Sequence, residues 1–535
     1  MTFRSPTFRD FELPGKSEAI ATSAMAATSH PAATLAALDI LRMGGNAVDA
    51  AVCAAALQGV VEPTQTGIGG DCFALIMRDA GTITALNGSG WSPARIDPER
   101  IRASGLREIP VESATAVTIP GAVRAWETLL SDHGSMELER VLQPAIRAAE
   151  DGYPVLERLA YDWRRQQQKL SRNAAAAAVF LPGGEPPQVG ARHRQPQLAK
   201  TLRAIAARGA AEFYCGATTQ RMVETLTALG GAHSIDDFET YRAEYVDPLS
   251  ARYRDYQLWE CPPNGQGLVP LIMASMLDRF DMSQYGPVSV ERFHLQAEVA
   301  RLAYAQRDSF IGDPRHVAMD IDGLLGAPYI DALVKRISLT KRMADIAPRP
   351  APRHKDTVFI AVVDRDGTAV ALINSIFDDF GSGIVCPHSG VLFHNRGSSF
   401  VLESGHPNAL APRKRPLNTI IPGMLARNGQ PVMPFGVTGG HFQPSGQLQL
   451  LGNLLDHGLP VQQAVDLPRM FARGDSFEVE RAVPESVIAG LQALGHGVTR
   501  CSHPLGTAQA IWIDRANGVL RGAADGRRDG LALGY

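Results

Sequence analysis

The sequence predicts an α+β protein, with a helix-rich first part and a strand-rich second part. Three observations predict it. Helical periodicity dominates from about residue 120 to 310. After residue 356, short apolar runs rich in β-branched residues alternate with glycine turns. Between the two lies "IAPRPAPRHKD", residues 346–356, whose prolines and charges suit neither a packed helix nor a sheet. It reads as an exposed segment that could be cut. A chain of 535 residues exceeds one ordinary core, so it forms two or more structural units or one large layered domain.

The elements follow in order. Residues 32–43, "AATLAALDILRM", repeat apolar side chains at helical spacing, and Gly44-Gly45 ends that helix. "NAVDAAVCAAALQGVV" starts a second helix with Asn46 as its N-cap; it is small and apolar on nearly all sides, which predicts burial. A glycine-rich turn, "TGIGGD", precedes two strands, "CFALIMRD" and "TITALNG", joined through Asp79-Ala80-Gly81. Helices are predicted near 120–132, 139–151, 195–208, 216–229 and 287–311, with a short one at the alanine run 174–178. "ARYRDYQLWE" reads as one strand within this region, and "CPPNGQG" leads into another apolar helix. After the linker, "TVFIAVVD" and "TAVALINSIF" form a hairpin about Asp366-Gly367. Gly381, Gly383 and Gly390 punctuate the following loops, and "VMPFGVT" and "AQAIWID" are further strands. No repeat is present.

Composition excludes several classes of function. Hydrophobic residues make up 45% and charged residues 20%, as in ordinary globular proteins. A net charge of −3 offers no basic field for nucleic acid or an anionic membrane. The six cysteines, at 53, 72, 215, 261, 386 and 501, form no C-x-x-C pair, so neither a zinc site nor a disulfide scaffold is expected. The first twenty residues lack the apolar stretch of a signal peptide, and no run spans a bilayer. A cytoplasmic protein is the expectation. There is no H-E-x-x-H, and His388, His394, His406 and His441 are dispersed, so no metal and no organic cofactor are expected.

The chemistry centres on Thr357, at the junction of linker and strand. A threonine hydroxyl is a weak nucleophile and needs a base nearby. If the chain is cut between Asp356 and Thr357, the new α-amine, with an ordinary pKa of about 7.7–8.0, can take the hydroxyl proton. By itself the threonine is equally a residue that favours starting a strand. Its surroundings add specificity. "TVFIAVVDRDGTAV" resembles the start of the small subunit in the γ-glutamyltranspeptidase family, with Thr357 seven residues before Asp364. "GGNAVDAAVCAAALQGVVEPTQTGIGGDCFALI", "PPNGQG", "FGSGIV", "NRGSSF", "KRPLNTIIP" and "VTGG" are similar to further family motifs, in order and over nearly the whole chain. The resemblance implies a four-layer αββα N-terminal nucleophile hydrolase, made as one chain and self-cleaved. Residues 1–356 would be the large subunit and 357–535 the small one, together building one αββα unit that can pair again as a dimer. By the same resemblance, Thr357 is the nucleophile, Ser375 orients it, and the N–H groups of Gly439 and Gly440 form the oxyanion hole.

The sequence departs from the transpeptidases where they grip glutamate. Ser89 stands in place of the arginine that pairs with the α-carboxylate, and Phe377 in place of an asparagine. Arg396 and Ser399 replace a glutamine and an aspartate, and the paired serines are Asn418 and Thr419. An ammonium site needs a carboxylate, because an unpaired buried cation is costly. A pocket that has exchanged that carboxylate for Arg396 should refuse an α-amine and accept an anion beside the scissile carbonyl. The segment between Phe400 and Lys414 is also shorter than the family's lid. The "NRG", "LINS" and "DGLALGY" patterns resemble the oxamate amidohydrolase branch, which implies hydrolysis of oxamate to oxalate and ammonia. The substrate-binding expectations are Arg396, Asn418, Thr419 and Phe377.

Alternatives stay open: a γ-glutamyltransferase or glutathione hydrolase, a cephalosporin-type acylase, or an uncleaved pseudoenzyme that binds a small molecule. "SLTK", Ser338 to Lys341, matches the S-x-x-K of penicillin-recognising enzymes, but it falls in a run read as an amphipathic surface helix, and no K-T-G follows. The basic cluster "RKR", 413–415, reads as a solvated loop that could draw anions.

Overall fold

A computed structural model describes residues 9, 11–12, 15–79, 81–344 and 357–535. Asp356 and the linker 346–355 lie outside the described residues. Two seven-stranded antiparallel sheets form the centre. One runs, strand by strand, Ala19–Ala21, Val519–Ala524, Ala508–Asp514, Gln430–Val437, Gly423–Arg427, Tyr256–Glu260, Leu249–Tyr253. The other runs Leu531–Gly534, Met25–Thr28, Val358–Val363, Ala369–Ser375, Asp71–Met77, Ile83–Gly88, Glu244–Val246. Strands from both sides of the linker interleave in each sheet.

The period-2 alternation of strand side chains explains the layers. Phe359, Ala361 and Val363 pack with Phe73, Leu75, Met424, Ala426 and Ile511 in a core between the sheets. Their neighbours Ile360 and Val362, with Ala74 and Ile76, face outward onto the Ala47–Val61 helix. On the opposite side, Leu425, Phe435, Val437 and Trp512 face the Leu268–Leu277, Val290–Phe310 and Gln443–Leu455 helices. Each sheet thus has two apolar faces, and this requires helices on both outer surfaces: the αββα sandwich that the resemblance implies.

The buried Ala47–Val61 helix begins as expected. Asn46 Oδ1 accepts from the N–H groups of Val48 and Asp49, and Asp49 closes the capping box. All fifteen of its residues are buried. Two expectations need correction. "ARYRDYQLWE" is not one strand but the hairpin Leu249–Tyr253 and Tyr256–Glu260, turning at Arg254, whose φ is +56°. A polar Arg254-Asp255 pair inside a strand pattern was the overlooked turn signal. The helix expected over 331–343 stops at Val334, and Ser338–Lys341 is not helical. The S-x-x-K match therefore lacks its structural context.

His30 caps the Pro31–Arg42 helix, accepting the N–H of Ala32 on Nδ1 at 3.1 Å. Burial lowers its pKa to about 4, against the opposing pull of Asp529 and with a smaller push from Arg528. Its folded pKa is thus below the unfolded value, so between pH 6.5 and 4 the unfolded chain binds more protons. This contribution is present above pH 6.5 and is lost as pH falls through that window. The His30→Asn variant keeps a capping acceptor but cannot titrate. Urea unfolding at pH 7.5 and pH 5 is expected to show the wild type losing about 1–2 kcal/mol more than the variant; equal losses would refute a buried neutral His30.

Candidate active site

Thr357 heads the Val358–Val363 strand, fully buried, opposite Ser375 at the end of the neighbouring strand. Its Oγ1 lies 3.0 Å from Ser375 Oγ, and its backbone N–H donates to Gln65 Oε1 at 3.2 Å. Ser375 Oγ also accepts from the N–H of Phe377 at 3.0 Å and from Arg396 Nη2 at 3.2 Å. Ser375 Oγ therefore links the Arg396 guanidinium to Thr357 Oγ1 through one hydroxyl.

Arg396 is fully buried and fans across the site. Nε donates to Asp71 Oδ2 at 3.2 Å, Nη1 to Thr419 Oγ1 at 2.9 Å and Nη2 to Ser375. The Phe377 ring covers the guanidinium, 4.0 Å from Cζ to its centroid. Phe377 has φ +80°, a left-handed conformation that a bulky residue adopts only under constraint. Burial lowers the Arg396 pKa to about 10, against the opposing pull of Asp71.

Asp71 is the residue that sequence reasoning missed. It is fully buried, pairs with Ser375 in the sheet register, and accepts from Arg396, from Asn418 Nδ2 at 3.1 Å and from the Gly90 N–H at 3.2 Å. His394 Nδ1 stands 3.5 Å away. Burial alone would raise its carboxyl; His394, Arg396 and the Gly90 N–H outweigh burial and hold it below the usual range. The expectation of a pocket without a carboxylate is thereby amended: Arg396 has a buried counter-ion, and discrimination rests on where its Nη groups point rather than on net charge. "TGIGGD" contained Asp71, but nothing local paired it with Arg396, 325 residues away.

Of the other expected residues, Thr419 touches Arg396, whereas Asn418 spends its side chain on Asp71 and on the Ile420 N–H. Asn418 therefore supports Asp71 and keeps its second Nδ2–H. Ser89, in place of the transpeptidase arginine, bonds to Asn87 and Asn264 in a buried cluster. The "RKR" cluster is not a solvated loop: Arg413 pairs with Asp236, Lys414 donates to the Pro407 carbonyl, and Arg415 pairs with Glu244. Lys414 and Arg415 are buried.

Gly439 and Gly440 follow the Gln430–Val437 strand with φ +107° and +58°, which glycine adopts without strain. Among the described residues, neither N–H meets an acceptor. Gln266 Nε2 donates to both Gly440 O at 2.9 Å and Thr419 O at 2.8 Å, tying this loop to the Arg396 arm. Arg307 Nη1 reaches Gln266 Oε1 and His441 Nδ1, at 3.0 and 2.9 Å, from behind. Beside them opens a cavity of about 430 Å³, lined by Tyr304, Arg307, Glu403, His406 and Arg473 among others. No metal-ligating cluster of three lies at Thr357; the one such cluster among the described residues is elsewhere. No helix among the described residues is long and apolar enough to cross a membrane.

The chain as a whole is similar to known proteins. The family model for γ-glutamyltranspeptidase matches residues 33–535. A glutathione hydrolase-like proenzyme, YwrD, of Bacillus subtilis is 35% identical, over 96% of this chain and 99% of its own. The oxamate amidohydrolase proenzyme of Klebsiella pneumoniae is also 35% identical, over 96% and 99%. The crystal structure of cephalosporin acylase from Bacillus halodurans superposes with a TM-score of 0.92 at 37% identity, covering 98% of each chain. The chain belongs to the γ-glutamyltranspeptidase family and is an N-terminal nucleophile hydrolase.

Proposed function

We propose that this chain is a self-processing threonine amidohydrolase that hydrolyses a small acid amide, oxamate first among them. Cleavage between Asp356 and Thr357 would yield a large segment, 1–356, and a small one, 357–535. In the precursor, Thr357 Oγ attacks the Asp356 carbonyl, the peptide nitrogen leaves as the α-amine, and water splits the resulting ester. In turnover, Thr357 Oγ attacks the amide carbonyl and its proton passes to the α-amine, which Gln65 positions. The Gly439 and Gly440 N–H groups hold the oxyanion. The proton goes to the departing ammonia, and water releases oxalate from the acyl-enzyme.

One observation carries the substrate assignment: Arg396 Nη2 is a single hydroxyl removed from Thr357 Oγ1, through Ser375. In oxamate the carboxylate is bonded directly to the amide carbonyl. Its cation must therefore sit immediately beside the nucleophile, as Arg396 does. The name of the Klebsiella pneumoniae relative supports this reading.

A second reading has its own observation. The cavity of about 430 Å³, whose wall residues Tyr304 and Arg307 contact His441 next to Gly440, is far larger than oxamate needs. It suits a longer acyl group, as in a γ-glutamyl hydrolase or an acylase. Turnover of oxamate, a γ-glutamyl anilide and a glutaryl amide by the purified protein separates the two. Oxamate is expected to give the highest kcat/KM, by at least tenfold; preference for either longer amide would overturn the small-acid assignment and favour the second reading.

A further inference from the structure

We propose that His294, Glu298 and His496 form a binding site for a divalent transition-metal ion of the zinc type, remote from the catalytic threonine. His294 and Glu298 are four residues apart on the Val290–Phe310 helix, so they share one face. His496 comes from the turn before the Val498–Arg500 strand, some 200 residues on. All three are buried, and one potential ligand atom from each lies within 4.8 Å of the others.

The surrounding bonds suit ligation. His294 Nε2 lies 2.7 Å from the Ser338 carbonyl, which can only accept, so Nε2 carries the proton and Nδ1 presents a lone pair. A backbone carbonyl on the far ring nitrogen is the usual support of a metal-bound histidine. Nδ1 faces His496 Nε2 at 2.8 Å. Glu298 is anchored by the Met343 N–H at 2.7 Å and by Arg301 Nη1 at 2.8 Å, and each carboxylate oxygen keeps a lone pair. The Phe477 ring meets His496 edge-on at 5.1 Å and fixes its plane.

In the ion-free chain His496 Nε2–H donates to His294 Nδ1. Binding moves that proton to His496 Nδ1, with no net release, and both lone pairs converge on the ion. Two nitrogens on a tetrahedral zinc stand about 3.3 Å apart, so the rings separate by about 0.5 Å. Imidazole and carboxylate donors favour zinc, copper or nickel over calcium or magnesium. Arg301 offsets the Glu298 charge. The site does not depend on the catalytic reading; only its consequence does. If the chain is cut before Thr357, the ion joins the two segments, with the Ser338 and Met343 backbones held against it.

The test uses the full protein, cut or uncut, after chelation and dialysis. Calorimetric titration with Zn²⁺ is expected to give one ion per chain, weakened at least tenfold in both His496→Gln and Glu298→Gln and unchanged in His388→Gln, an exposed residue. Absence of saturable binding to the wild type, or equal affinity in all variants, overturns the proposal. Should the site variants fail to fold, electron paramagnetic resonance of the Cu²⁺-loaded wild type decides: two coordinated imidazole nitrogens support the site, and fewer refute it.

Discussion

The Thr357→Ala protein is expected to remain one full-length chain of 57.4 kDa, while the wild type resolves into two species, one ending at Asp356 and one starting at Thr357. Denatured mass measured on fresh and incubated samples reads this directly. The expectation follows from the use of one hydroxyl twice. Without Oγ there is no attack on the Asp356 carbonyl, no free α-amine and no acyl-enzyme, so hydrolysis should fall by a factor on the order of 10⁴ or more. Thr357→Ser keeps the oxygen and its bond to Ser375, and should still cut, more slowly because the lost methyl frees the rotamer. Ser375→Ala removes the hydroxyl bonded to Oγ1 while keeping nucleophile and amine, so a loss of about 10–10²-fold in kcat, with cleavage delayed rather than abolished, is expected. A wild type that stays whole on incubation would defeat the self-processing reading and bring the pseudoenzyme alternative forward.

The second large effect concerns Arg396 and Asp71. Arg396→Met strips the partner from a fully buried carboxylate, and a broken buried pair costs about 3–5 kcal/mol. Asn418 and the Gly90 N–H still bind Asp71, and the carboxyl can take up a proton, so the lower end of that range is expected. The Arg396→Met, Asp71→Asn double variant removes both charges, and its stability should return to near wild type. Oxamate turnover should not return with it: kcat/KM stays down by at least 10²-fold because the carboxylate has lost its cation. That split separates a support role from a binding role. A double variant that regains both stability and oxamate hydrolysis would show that Arg396 only balances Asp71.

The two pairings in this site explain what was legible beforehand. Thr357, Ser375, Gly439 and Gly440 belong to contiguous motifs, and their roles were implied by the resemblance of those motifs to the γ-glutamyltranspeptidase family. Their assignment needed no contact map. Arg396 was visible as a substitution, but its counter-ion was not, because Asp71 reaches it only through the pairing of the Asp71–Met77 and Ala369–Ser375 strands. The bond from Asn418 to Asp71 was hidden for the same reason. The histidine cluster shows this most plainly. His294 and Glu298 carry a helical spacing, yet the third member arrives from a distant turn, so dispersed histidines looked inert.

By itself, the sequence determined the helix-rich and strand-rich halves, the buried helix capped by Asn46 and the hairpin that begins at Thr357. These depend on periodicity, capping and turn residues, which act over a few positions. Only the tertiary structure decided that both halves share both sheets, that Arg396 is ion-paired, and that two apparent surface features, the "RKR" loop and the Ser338 region, are tied down by Asp236, Glu244 and His294. Electrostatic and hydrogen-bond partners are chosen by distance in space. In a sandwich whose neighbouring strands come from hundreds of residues apart, that distance is set by packing and not by spacing along the chain.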